Sequence, residues 1–372
     1  MSISSFDSRI PDPLTGLVGG IGGTPARQGG IFRATGNTLG GDFYLALLAR
    51  GSAGIVLLML ATLVPVLAIA AVPSIRGFGA GFLRTTRWSP EHEAQKRDPR
   101  TGFLVHDEDG EVIKKTVPGV FGALPVIYGT VVSSALALLF AVPVSLGAAL
   151  FLVRIGPWLT ASISIISFLI EFLAAIPSIA YGIWGLFVVA PFLQNHLEPP
   201  LNNFFGHVPF LRFLHTDGQP IGRDMFNAGL ILAIMILPII TAISRDVLRS
   251  VPRVQIEGTQ ALGATWWQSS WAMLRYGRSG LFGAVMLGLA RAAGETMAVA
   301  MVIGNAIQIH SSIFRSAQTM SSLIANEFAE ASTDMHRSAL IEVALILLMM
   351  SLAFNVVARY LVVGRHSRAG GA

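Results

Sequence analysis

Arg291 and Glu295 stand four residues apart as the only charges in an otherwise apolar stretch, Leu281 to Asn305. A guanidinium is a rigid planar fork of donors that matches carboxylate or phosphate oxygens two at a time. On a continuous helix, a carboxylate four residues on reaches the same face, where it holds the arginine in one rotamer and weakens its pull on a passing anion. Counted from Leu281 at about 1.5 Å per residue, Arg291 lies roughly 15 Å along, near the midplane of a hydrocarbon core about 30 Å thick. Each charge costs about 2.5–3.5 kcal/mol there, so both are expected to face protein or a watery path. Two readings fit the pair: an anion site on a path, or a permanent buried salt bridge joining helices. The desolvation cost of a purely structural pair, which apolar packing would replace without loss, weighs toward the path.

The elements that must position these groups are membrane helices. Of 372 residues, 53% are hydrophobic and only 13% charged, the composition of an integral membrane protein. With no cysteine there is no disulfide framework and no thiolate chemistry, and the eight histidines show no metal-ligand spacing, so neither a metal nor a cofactor is expected. The net charge of +5 comes with basic residues flanking apolar runs, which the positive-inside rule explains without nucleic acid.

Residues 1–50 are polar and glycine-rich, with a run from Gly16 to Gly23, and read as an N-terminal cytoplasmic tail rather than a signal peptide or a phosphate cradle. Residues 51–118 hold the first span and a polar loop, Arg76 to Lys115; residues 119–362 hold the remaining spans, and 363–372 a cytoplasmic C-terminal tail. Six membrane helices are expected, at about 51–74, 122–152, 159–193, 225–244, 280–304 and 338–361. The run 159–193, interrupted by Pro177 and Gly182, is counted as one crossing. That parity places the basic segment Arg245 to Arg278 and both termini in the cytoplasm.

Other candidates for the path are Glu171, in the apolar stretch ahead of Pro177, and the hydroxyls of Ser178, Tyr181 and Thr296. For Glu171 the competing readings are solvent contact or capping of a neighbouring arginine; for the hydroxyls, ordinary helix–helix contacts. The segment Glu257 to Trp271, EGTQALGATWWQSSW, is long for an interhelical loop. Ala261, Leu262, Trp266, Trp267 and Trp271 give it an apolar face broken at Gly263. Such a face suits a partner's groove or the lipid interface.

Glu257, Gly258 and Thr259, followed by Gly263, resemble the EAA loop of ABC-importer permeases, the coupling helix that fits an ATPase subunit. The run LARAAGETMAVAMVIGN, Leu289 to Asn305, and the run LAAIPSIAYGIWGLFVVAPFL, Leu173 to Leu193, resemble the PstC-type permeases of phosphate importers. The likeness covers roughly Phe121 to Tyr360 and departs in two places. Thr259 stands where such loops carry alanine, and Arg275 and Tyr276 lead into Gly277 where a LeuPro pair is usual. The resemblance implies an all-α integral membrane protein with the ABC importer type I permease fold, a bacterial inner-membrane location and a phosphate path past Arg291. It also implies coupling through Glu257, Gly258, Thr259, Leu262, Gly263, Trp266 and Trp267. The implied partners are a second, PstA-type permease, a PstB-type ATPase dimer, a PstS-type external binding protein, phosphate and the lipid bilayer.

None of the three lysines, Lys96, Lys114 and Lys115, follows a glycine, so GxxxxGK[ST] is absent and the chain is expected to be no enzyme, with ATP hydrolysed by a separate subunit. A permease for phosphonate, molybdate or sulfate would keep the EAA loop and differ around Arg291 to Thr296. A secondary phosphate transporter would need paired broken helices in inverted repeats, and none is legible. A purely regulatory membrane protein would have no use for a midplane arginine and glutamate.

Overall fold

The computed structural model describes residues 38–95, 114–154, 160–209, 211, 214–216 and 218–363. The glycine-rich run and most of both expected tails lie outside them. The chain forms two compact units, Met1–Thr62 and Leu63–Ala372. The described part of the first is helical, the opening portion of α1 (Thr38–Phe78), and its large apolar side chains such as Leu57 and Leu58 are exposed. The tail expected to run to residue 50 is therefore helix from Thr38 onward.

The second unit begins in the same helix at Leu63 and continues through the polar loop. There β1 (His92–Gln95) and β2 (Lys114–Val117) pair antiparallel, His92 opposite Val117. This short ribbon is the one departure from the all-helical expectation among the described residues. α2 (Leu124–Arg154) and α7 (Met225–Arg249) match the expected spans closely.

Two expected helices are each two. The run 159–193 divides into α3 (Thr160–Ala175) and a second helix that starts at Ser178, because Pro177 pushes Ile176 out of helical geometry and itself sits at ψ 139°. That second helix runs to His207 as α4 (Ser178–Trp184), α5 (Ala190–Phe192) and α6 (Glu198–His207), joined by π turns at Gly185–Val189 and Leu193–Leu197. The run 280–304 divides into α10 (Arg278–Gly294) and α11 (Met297–Val302), with Glu295 extended at ψ 131° between them. Between α7 and α10 lie α8 (Arg253–Ala261) and α9 (Trp266–Tyr276). After α11 come α12 (Met320–Glu327) and α13 (Asp334–Val363). Among the described residues, 5 helices are long and apolar enough to cross a bilayer, against the six expected, because the broken α10–α11 pair is too short in each half.

α7 is the central strut. Ile231, Leu232, Ile236 and Ile240 are fully buried, and α2, α10 and α3 all pack on it. Lipid is as apolar as leucine, so close van der Waals fit rather than water exclusion must hold these helices together. Glycine supplies it. A Cβ on Gly288 of α10 would come within 2.6 Å of the Ile240 side chain, and one on Gly129 of α2 within 2.2 Å of the Gln318 carbonyl oxygen.

These positions set a matched test. Alanine ordinarily stabilises a helix interior over glycine by about 1 kcal/mol, and Gly147, also in α2, has nothing within 4 Å of the added carbon. Gly147→Ala should hold or raise the thermal midpoint of the purified protein. Gly129→Ala should lower it, by an overpacking cost of about 1–3 kcal/mol; equal responses would show that the close approach is not a constraint.

Candidate functional site

α10 stops at Gly294 for a local reason. The freed carbonyls at its end find side-chain donors: Thr296 Oγ1 donates to the Gly294 oxygen at 3.2 Å, and Ser321 Oγ of α12 to the Glu295 oxygen at 2.6 Å. Arg291 falls in the last turn, where a cation is favoured by the negative end of the helix dipole. Its side chain is exposed into a groove of about 500 Å³ lined by Ile239 of α7 and by Leu287, Ala290, Arg291, Gly294 and Glu295.

The two charges share this groove without joining. Because the helix ends between them, the four-residue helical relation expected of Arg291 and Glu295 does not exist. Among the described residues no ion pair or side-chain hydrogen bond holds either one. The rotamer lock expected from Glu295 is thus absent, and so is the permanent salt bridge. What remains is a fork of donors facing open space, with a carboxylate on the same rim.

The other expected path residues are placed differently. Ser178 opens α4, half-buried, and Tyr181 is buried one turn on, its hydroxyl donating to the Leu173 carbonyl at 2.7 Å across the α3–α4 break. Neither lines the groove. With its proton committed, the Tyr181 oxygen offers an anion nothing. The two breaks are neighbours all the same: α4 packs on α11, where a Cβ on Gly182 would meet Ala298 Cα at 3.0 Å. Glu171 lies on α3, exposed and away from the groove, with its carboxylate 3.5 Å from Arg245 Nη1. The carboxylate is both open to solvent and beside an arginine.

The segment between α7 and α10 is two helices rather than one. Gly263 at φ +84° turns the chain, and Thr265 starts α9 with a capping box closed by Gln268. Glu257 and Gly258 are exposed; Leu262, at the tip, is 91% exposed; Trp266, Trp267 and Trp271 are all more exposed than buried or nearly so, at 47%, 62% and 56%. Thr259 is half-buried, donating to the Ile256 carbonyl at 2.7 Å and lying 3.3 Å from Ser269 Oγ. The departure at Gly277 has a physical account. Its N–H caps α9 on the Met273 oxygen and its own oxygen receives Leu281 N–H at the start of α10, while Gly277 and Gly280 let the turn press against Val247. A LeuPro pair has no place in that contact.

Two contributors were not read from the sequence. Ser321 sits in a Thr-Met-Ser-Ser run that caps α12, and its partner lies 26 residues earlier, beyond the reach of any local pattern. Arg154, at the end of α2, donates to Ser269 Oγ at 3.4 Å and lies 5.6 Å from the centre of the Trp266 ring, tying α2 to α9.

A family model for the binding-protein-dependent transport system inner membrane component matches residues 141–364, which contain both breaks and the segment between α7 and α10. The chain is 39% identical to the phosphate transport system permease protein PstC of Pasteurella multocida over 85% of this chain and 89% of that one. It is 40% identical to the PstC of Haemophilus influenzae over 83% and 89%. This chain belongs to the PstC family of transport permeases. A more distant member, PstC 1 of Mycobacterium tuberculosis, is 38% identical over 79% of this chain and 85% of its own. The permease is a multi-pass membrane component, and the expected fold class stands.

The stapled break makes a measurable statement. Ser321→Ala removes the donor to the Glu295 carbonyl and should cost about 1 kcal/mol, read as a lowered unfolding midpoint of the purified permease. Ser321→Thr, which restores the hydroxyl, should recover most of it; no loss in the alanine variant would show the bond to be incidental.

Proposed function

We propose that this permease forms half of the path of an ATP-driven importer of inorganic phosphate. The observation that supports it is Arg291: an unpaired guanidinium at a helix break, open to a groove, in a chain of the PstC family. A phosphate oxygen pair matches the fork, and the low dielectric of the surroundings strengthens the contact. Glu295, on the same rim, repels the anion and keeps its stay short. The groove is open on one side, and a PstA-type permease closes it to complete the path.

The sequence carries no GxxxxGK[ST] motif, and a separate PstB-type ATPase dimer drives the cycle. It takes hold at Glu257, Gly258, Thr259, Leu262, Gly263, Trp266 and Trp267, whose apolar tip is exposed for a groove in that partner. A PstS-type binding protein delivers phosphate at the other side. In this arrangement the location is the bacterial inner membrane, residues 119–362 are the permease domain, and both termini are cytoplasmic. A guanidinium fork accepts any tetrahedral oxyanion, so selectivity is to be measured by competition with sulfate, molybdate and a phosphonate.

With binding protein, partner permease and ATPase supplied at matched abundance, Arg291→Gln should reduce phosphate uptake by about tenfold to a hundredfold, the equivalent of a charged hydrogen bond worth about 1.5–3 kcal/mol. Normal uptake would remove Arg291 from the mechanism. Leu262→Asp should leave the permease folded and lower uptake together with the amount of ATPase subunit that co-purifies; unaltered co-purification would put the docking surface elsewhere.

A further inference from the structure

A second pair of charges lies at the end of α7 remote from the coupling segment, about 37 Å away along that helix. Glu198 opens α6, Asp224 caps α7, and both are fully buried. Glu198 Oε2 accepts from Gly222 N at 3.2 Å, and Asp224 Oδ1 accepts from Asn227 N at 3.0 Å. The remaining oxygens, Glu198 Oε1 and Asp224 Oδ2, are buried with no donor. Gly222, the donor to Glu198, stands two residues before Asp224, so the chain itself brings the two buried carboxyls to one place.

Among the described residues no cation balances them. Arg223 is exposed, Arg315 donates through Nε to Thr216 Oγ1 at 2.7 Å, and neither pairs with the carboxyls. His196 stacks on Phe192, His207 turns to the Asn203 oxygen, and His215 turns Nδ1 to the Asn202 oxygen at 2.9 Å. α2, α4 and α11 bring no charged side chain to this end. Two adjacent carboxylates, both dry and both ionised, are strongly disfavoured: each desolvates at a cost, and each repels the other.

We propose that Glu198 and Asp224 form a proton-binding site that holds one shared proton between Glu198 Oε1 and Asp224 Oδ2. One proton satisfies both orphaned oxygens and removes the repulsion at once. The site fastens the chain ahead of α7 onto the π turns. Gly222 is at φ +69°, so close to Ala190 that a Cβ would lie 2.2 Å from its carbonyl oxygen, and Asn227 Nδ2 donates to the Gly222 oxygen at 2.6 Å. Loss of the proton leaves two anions facing each other under that strap and drives it away from α6.

Burial pushes the Asp224 carboxyl well above the ordinary aspartate range. Between the ordinary and the raised value the folded state binds one proton more than the unfolded chain, so stability falls as pH rises through that interval and levels off above it.

The test uses the full-length permease in its complex, in lipid nanodiscs. Wild type should lose stability toward neutral pH at about tenfold in the unfolding equilibrium per pH unit, and should show a protonated-carboxyl C=O band in infrared spectra at neutral pH. Glu198→Gln donates a hydrogen bond without a titrating group, so it should flatten the pH profile and remove the band; Asp224→Asn serves if the first variant fails to assemble. A flat wild-type profile, or a slope and band unchanged in the variants, overturns the site. Stabilisation by added sodium or calcium without the band overturns it too, by placing a metal ion between the carboxylates. A wild-type spectrum without the band overturns the site even if neither variant assembles.

Discussion

In hydrocarbon, every backbone donor and acceptor must find its partner inside the protein, and this constraint fixes where the helices of this permease are allowed to break. Each break carries its own staple: Ser321 and Thr296 donate to the carbonyls released at the end of α10, and the Tyr181 hydroxyl donates to that of Leu173 at the end of α3. The breaks are also the places where polar groups are tolerated at depth. Arg291 and Glu295 stand at one of them because a terminated helix offers a favourable dipole to the cation and an extended backbone to turn the carboxylate aside.

Between breaks, the helices are held by fit and by a few polar ties. Ser145 Oγ of α2 donates to the Leu237 oxygen of α7 at 3.1 Å; Ser74 Oγ donates to Glu342 at 2.6 Å, and Ser338 Oγ to the Ala70 oxygen at 2.9 Å, joining the end of α1 to α13. Interhelical bonds of this kind contribute about 0.6 kcal/mol on average. They set register more than strength. Strength comes from the glycine-permitted approaches to α7, which is why the most buried helix is also the one from which the groove, the tryptophan-bearing segment and the carboxyl pair all extend.

Hydropathy made α2 and α7 legible to within a few residues, and the tryptophan-rich run gave an apolar face that the structure leaves exposed. The breaks were not legible, because an apolar run looks the same whether or not a serine from 26 residues downstream arrives to accept the role of a missing helical turn. Pro177 was visible; that it ends one helix and starts another depended on Tyr181 reaching back. The spacing of Arg291 and Glu295 reads as a helical pair and is not one, since the rule of four presupposes an unbroken helix and α10 ends at Gly294. Glu198 and Asp224 escaped notice for a different reason: they flank a polar loop, and only the fold buries them together.

Gly277 serves as C-cap to α9 and N-cap to α10 with no spacer between. The two helices therefore form a bell crank, with one arm of 11 residues, about 16 Å, and another of about 20 Å from the elbow to Arg291. Its pivot is the seat against Val247. No loop separates the tryptophan-bearing arm from the helix that carries Arg291.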